Sequence, residues 1–182
     1  MEFKKLGKSD LTVSAYCLGT MTFGEATSET DSHLQIDQSL ASGINFIDTA
    51  EMYPTCPLRE ETTGDTEVII GNWIEKNKSK RADFVLATKI SGKGYKAVRN
   101  GEGIDEKSIK IAIEGSLKKL KTDYIDLYQL HWPNRGSYHF RQNWNYNPTN
   151  QDTEIAKDNI NGVLNSLSDL QKEGKIRHIG LS

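Results

Sequence analysis

The sequence predicts an α/β fold, a partial (β/α)8 TIM barrel of five parallel strands alternating with helices, preceded by an amino-terminal β-hairpin. Three observations predict it. Short apolar runs recur between segments of helical spacing, in the order β-α-β-α-β-α-β-α-β after the hairpin, and that alternation gives right-handed crossovers and a parallel sheet. Three of the strands deliver an ionisable group at the same end: 44–47 runs into Asp48, with Tyr53 just beyond, 84–88 runs into Lys89, and 125–130 runs into His131. A barrel of this type builds its site at the carboxyl ends of successive strands, whereas an open doubly wound sheet concentrates ligands at one switch point.

The elements follow in order. Residues 2–15 read as a hairpin: Phe3, Leu6, Leu11, Val13 and Ala15 flank a turn at Gly7-Lys8-Ser9-Asp10. Tyr16-Cys17-Leu18-Gly19 is a short strand into a Gly-Thr loop. Ser28 or Thr30 caps a helix with Leu34, Ile36, Leu40 and Ala41 at rough helical spacing, and Gly43 ends it. After the strand to Asp48, Pro54 to Gly64 is a polar loop. Asp65 or Thr66 caps a second helix with Val68, Ile69, Trp73 and Ile74 on its apolar face. Glu67, in its first turn, reads as a dipole-complementing residue. The strand to Lys89 and a loop over 91–103 lead to Asp105, the cap of a third helix. There Ile109, Ala112, Ile113, Leu117 and Leu120 make one apolar stripe. The strand ending at His131 is followed by a long loop, 132–153, rich in aromatics: Trp132, Tyr138, Phe140, Trp144 and Tyr146. Thr153 opens a fourth helix with Ile160, Val163, Leu164, Leu167 and Leu170 inward, Gly174 ends it, and Ile176 to Leu181 is the fifth strand.

Composition excludes some classes. Lys+Arg 23 against Asp+Glu 25 leaves a net charge of -2, which is no footprint for nucleic acid or an anionic membrane. Cys17 and Cys56 have no metal-ligand spacing and read as free thiols of a reducing compartment. His131, His139 and His178 likewise form no ligand set with a carboxylate, so no metal is expected. The first residues lack an apolar signal core, and no apolar run approaches the ~18 residues of a membrane span. A soluble, cytoplasmic protein with no membrane partner is the expectation. Gly19-Thr20-Met21-Thr22-Phe23-Gly24 has the wrong spacing for a dinucleotide fingerprint, and there is no Walker A pattern.

Several segments together resemble the aldo-keto reductases: Asp48-x-Ala50-Glu51-x-Tyr53, Thr88-Lys89, Thr122 through Trp132, Gly19 through Gly24, and Lys175 through Ser182. The Glu51-Met52-Tyr53-Pro54 continuation and the extended loops resemble the Tas-type bacterial branch, itself similar to potassium-channel β subunits. Such motifs taken together and in order are far more specific than any one. The resemblance implies hydride transfer between NADP(H) and an aldehyde or ketone. It implies Asp48, Tyr53, Lys89 and His131 as catalytic residues, and Gly19, Thr20, Met21, Asp48 and Ser182 on the cofactor side. A phenol of ordinary pKa about 10 is a poor acid at neutral pH. A nearby ammonium lowers that value, so Lys89 is expected to activate Tyr53, Asp48 to hold Lys89, and His131 to aim the substrate oxygen.

Each residue also has a plainer reading. Asp48 and Lys89 suit a structural ion pair, Tyr53 a loop aromatic, and His131 a satisfied histidine near the core. Against these stands the coincidence of four such residues at one end of one sheet. The family barrel has eight strands and this chain offers five. Residues 1–182 therefore read as one incomplete barrel domain (hairpin 2–15, βα units 16–182), expected to be an inactive amino-terminal fragment of a longer reductase. The alternative is a non-catalytic interaction subunit resembling the channel β subunits.

Overall fold

The computed structural model describes residues 1–134, 144 and 146–182. Tyr138, His139 and Phe140, singled out above, lie outside them. The hairpin pairs β1 (Phe3–Lys5) with β2 (Thr12–Ser14) antiparallel. Gly7 supplies the positive φ (+59°) that its tight turn requires. Leu11 and Val13 are buried against Val85, with Leu6 and Phe46 packed beside them. Phe3 points away and is half exposed. Asn45 locks the hairpin to the sheet: its Oδ1 accepts from the Ser14 N–H (2.7 Å), its own N–H donates to Ser14 Oγ (3.1 Å), and its Nδ2 donates to Thr12 O (3.0 Å).

The main sheet has five parallel strands in sequential order: β3 (Leu18–Gly19), β4 (Phe46–Asp48), β5 (Val85–Ile90), β6 (Ile125–Leu130) and β7 (Ile176–Leu181). Unbroken sequential order is what a barrel wall requires. β3 is two residues long, shorter than the four expected, because the chain before it is drawn off to the hairpin and leaves Tyr16 exposed. All six residues of β5 are buried, as befits a parallel strand covered on both faces.

Among the described residues four α-helices cover the outer face. α1 (Glu29–Ala41) is capped by Ser28, whose Oγ accepts from the Asp31 N–H (3.1 Å), and Gly43 follows at φ +82°. Only Ile36 of its apolar set is fully buried. Leu34 is exposed, so the roughly helical spacing spans more than the face that packs. α2 (Asp65–Lys76) is not capped by Asp65 or Thr66 as expected. Gly64, at φ +92°, holds the cap position without a side-chain bond, and the Thr66 hydroxyl donates instead to Phe23 O (2.7 Å). α3 (Glu106–Leu120) begins at Asp105 as expected, in a reciprocal capping box with Ser108. α4 (Thr153–Lys172) opens at Thr153 as expected, with Asp152 as its cap. It buries Val163, Leu167 and Leu170 but leaves Ile160 and Leu164 partly in solvent.

The principal core lies between sheet and helices. Ile70, Trp73, Ile109, Ile113 and Leu120 meet Leu86, Ile90, Ile125 and Tyr128 there. At Gly71 the α2 backbone comes so close that an added Cβ would lie 1.9 Å from the Lys119 carbonyl oxygen. Arg81 ties the layers together from below: its guanidinium donates to Asp126 Oδ2 (2.7 Å) and to Tyr124 O (2.9 Å), and Asp126 also accepts from Arg177 (2.8 Å). Among the described residues no helix is long and apolar enough to cross a membrane.

Candidate active site

Three neighbouring strands build the site by register. Asp48 ends β4 opposite Ala87, and Lys89 on β5 lies opposite Gln129 on β6. Lys89 is the fifth residue of β5, inside the strand rather than past its end. Its ammonium donates to Asp48 Oδ2 (2.5 Å) and to Thr49 O (2.8 Å), and the residue is 4% exposed. The other Asp48 oxygen accepts from Gln129 Nε2 (3.2 Å). A buried ammonium is tolerable only with such partners.

Tyr53 and His131 complete the group. The Lys89 ammonium stands 5.0 Å from the centroid of the Tyr53 ring, a cation–π distance. The Tyr53 and His131 rings meet edge to face at 5.8 Å, and Trp132 backs His131 at 4.9 Å. Tyr53 is held through its main chain. Its N–H donates to Ala50 O (3.1 Å), and its carbonyl accepts from the N–H groups of Gly64 (2.9 Å) and Thr66 (3.4 Å) at the start of α2. The His131 N–H extends the β5–β6 ladder to Ile90 O (2.9 Å).

The electrostatics depart from the sequence-based expectation. Burial, followed by the Asp48 carboxylate, pushes the Tyr53 phenol up to about 12, not down. The Lys89 charge is already bound to Asp48, and it faces the ring rather than forming a bond to the hydroxyl. Burial, then Lys89, lowers His131 to about 4, so its ring is neutral at physiological pH. The buried His131 Nδ1 has no protein partner among the described residues.

The residues read as cofactor contacts lie on the rim. Gly19 pairs with Asp48 across β3 and β4, and a Cβ added to it would meet nothing within 4 Å. Thr20 is fully buried, its N–H (3.1 Å) and hydroxyl (2.9 Å) both donating to Asp48 O. Met21 is exposed and its carbonyl accepts from Thr55 N–H (3.0 Å). Ser182 follows β7, donates from its N–H to Leu130 O (3.1 Å), and borders a cavity of about 770 Å³ with Trp132, Ile104 and Ile155.

Sequence reasoning gave Gln129, Glu51, Arg99 and Glu67 no part in the site. Gln129 was read only as strand, although its register with Lys89 puts it on the inner face. Glu51 accepts from the Ser91 N–H and from Arg99 Nη1, while Arg99 Nη2 donates to Ser91 O (2.7 Å). Glu67 does lie in the first turn of α2, as read. It is wholly buried, accepts from the Thr88 hydroxyl (2.7 Å) and has Lys119 3.6 Å away; burial raises its carboxyl above the usual range.

The model of the aldo/keto reductase family matches residues 15–182. Protein tas of Escherichia coli is 44% identical over 185 residues, covering 100% of this chain and 52% of that protein. Norsolorinic acid reductase B of Dothistroma septosporum is 33% identical, covering 100% of this chain and 42% of its own length. Among solved structures, the holo form of an aldo-keto reductase from Bacillus halodurans superposes with a TM-score of 0.72 at 32% identity, over 100% of this chain and 50% of that one. The chain spans about half the length of these relatives.

Proposed function

The chain belongs to the aldo/keto reductase family, and from that premise we propose that its site serves NADP(H)-dependent hydride transfer between a nicotinamide and an aldehyde or ketone. The observation that carries the reading is the single cluster in which Lys89 is fixed by Asp48 at 2.5 Å, faces the Tyr53 ring at 5.0 Å, and lies beside a neutral His131.

The residues present fit such a cofactor: the strand end at Gly19 leaves open space beside Asp48, and the His131 ring has a buried nitrogen without a protein partner among the described residues. Gly19, Met21, Asp48 and Ser182 would line its side of the site, while Thr20 is buried and bonded to the Asp48 carbonyl. When bound, a reduced nicotinamide supplies the hydride. The chain's own groups do the rest. Tyr53, held protonated by its surroundings, keeps a proton on its hydroxyl for the carbonyl oxygen. Neutral His131 orients that oxygen by hydrogen bonding. The Lys89 ammonium, screened from water, favours negative charge developing there, and Asp48 keeps the ammonium in place.

The reading assigns turnover to a barrel with all its βα units, because the chain spans about half the length of its relatives. Fluorescence titration with NADPH is expected to show no tight binding by these 182 residues alone; micromolar binding would overturn that part. In the active barrel, Tyr53→Phe is expected to lower aldehyde reduction by roughly 10²–10⁴-fold, the usual worth of a positioned acid, with NADPH affinity nearly unchanged. Equal rates would reject Tyr53 as the proton donor.

A further inference from the structure

We propose that the Glu51–Arg99 pair is a positioning clamp that turns the chain out of the sheet at the right place to hold Tyr53 over Lys89. This deepens the reading above and rests on it for the importance of Tyr53. The argument begins with the backbone ladder past the end of β4. Thr49 N–H donates to Ala87 O (2.9 Å) and Glu51 N–H to Lys89 O (3.2 Å). The next donor on the β5 side, Ser91 N–H, is buried and needs an acceptor. The chain has already bent away there, through the Ala50–Tyr53 turn. The Glu51 carboxylate takes the place of the missing carbonyl by accepting from Ser91 N–H. Strand pairing therefore stays satisfied while the main chain leaves to present Tyr53.

A buried carboxylate requires a countercharge, and Arg99 provides it. The two side chains are 9% and 7% exposed. The guanidinium also donates to Ser91 O, so it closes a ring around one residue of the loop after β5. The backbone that delivers it is unusual. Arg99, Asn100 and Gly101 run consecutively at φ +44°, +57° and +79°, a conformation that side-chain-bearing residues avoid. Strain of this kind persists where surrounding contacts impose it, and it gathers at functional sites. The same loop is bound to the Tyr53 side a second time: Tyr95 Oη and Thr63 Oγ1 are 2.8 Å apart. Among the described residues no hydrogen bond or ion pair joins Glu51 or Arg99 to the side chains of Tyr53 or His131, so the pair acts through the main chain and not on a reactant.

The test uses the 182-residue chain and the His131 ring as reporter. Two variants are made: Glu51→Gln with Arg99→Met together, which leaves no lone buried charge, and Arg99→Lys, which keeps the charge but cannot hold Glu51 and Ser91 O at once. His131 protonation is followed by NMR, with the Tyr53–His131 ring contact read as a nuclear Overhauser effect. If the clamp positions Tyr53, the double variant loses that contact, water reaches His131, and its midpoint rises from about 4 toward the ordinary value. At pH 5 the charged fraction is then expected to rise from about a tenth to about half. Arg99→Lys gives an intermediate change. An unaltered ring contact and midpoint in a folded double variant would overturn the proposal. Should the double variant not fold, unaltered values in Arg99→Lys would do so equally. Failure of the reductase reading is separate: it shows as unimpaired carbonyl reduction by Tyr53→Phe, whatever His131 does.

Discussion

Lys89 Nζ lies 2.5 Å from Asp48 Oδ2 although the two residues are not opposite each other in the sheet: Asp48 pairs with Ala87, and Lys89 sits two residues further along β5. The lysine reaches back across the β4–β5 seam, and its four-carbon stem fills the inner face while the charge stays with its partner. The geometry makes the pair mutually dependent, and its removal from one side differs from its removal from both.

Asp48→Asn leaves a cation that is 4% exposed without its charge partner. The expected loss is about 3 kcal/mol of unfolding free energy, the scale for breaking a buried pair. Adding Lys89→Met should recover most of it. Urea unfolding of the two variants measures this directly, and equal stability of the single and double variants would show that the pair is not coupled.

The neutral state of His131 makes stability depend on pH in a definite direction. Its folded value of about 4 lies below the ordinary 6.5, so between those values the unfolded chain binds more protons. Stability therefore falls as pH drops through this window. From pH 7 to pH 5 the histidine alone removes roughly 2 kcal/mol. Unfolding free energies from urea titration at the two pH values should converge by that amount in His131→Gln, while the contribution of other groups remains in both proteins.

Two helical glycines should respond oppositely to alanine. Helix propensity favours alanine over glycine by about 1 kcal/mol. At Gly115 in α3 an added Cβ meets nothing within 4 Å, so Gly115→Ala should raise stability by roughly that amount. At Gly71 the new carbon would lie 1.9 Å from Lys119 O and 2.9 Å from Leu120 backbone atoms. Backbone cannot yield as a side-chain tip can, so overpacking outweighs propensity and Gly71→Ala should lose about 3 kcal/mol. Thermal unfolding of both variants decides the signs.

Much of the architecture was readable from one-dimensional pattern. The α3 stripe from Ile109 to Leu120 and its Asp105 cap are local features, and both appear as read. So do the five parallel strands, because apolar runs ending in Asp48 and His131 carry their own punctuation. What failed depended on distant packing. Leu34 matched the α1 period yet faces water, since periodicity names a face but not its width. Gly64 began α2 without a side-chain cap because the Tyr53 carbonyl already gathers the first N–H groups. The direction of the Tyr53 shift was misjudged because burial is a property of the assembled site. Gln129 and the Glu51–Arg99 pair were invisible for a related reason: one needs the strand register, the other a left-handed bend at residues that do not usually adopt it.

The hairpin has a consequence for how the chain is made. Leu11 and Val13 find their buried partner in Val85, which leaves the ribosome about seventy residues later. At ordinary translation speeds that is a delay of several seconds, on the order of 4–14 s. Through that interval the nascent amino terminus displays a bare apolar patch, and a chaperone near the exit tunnel has both the time and the target to hold it.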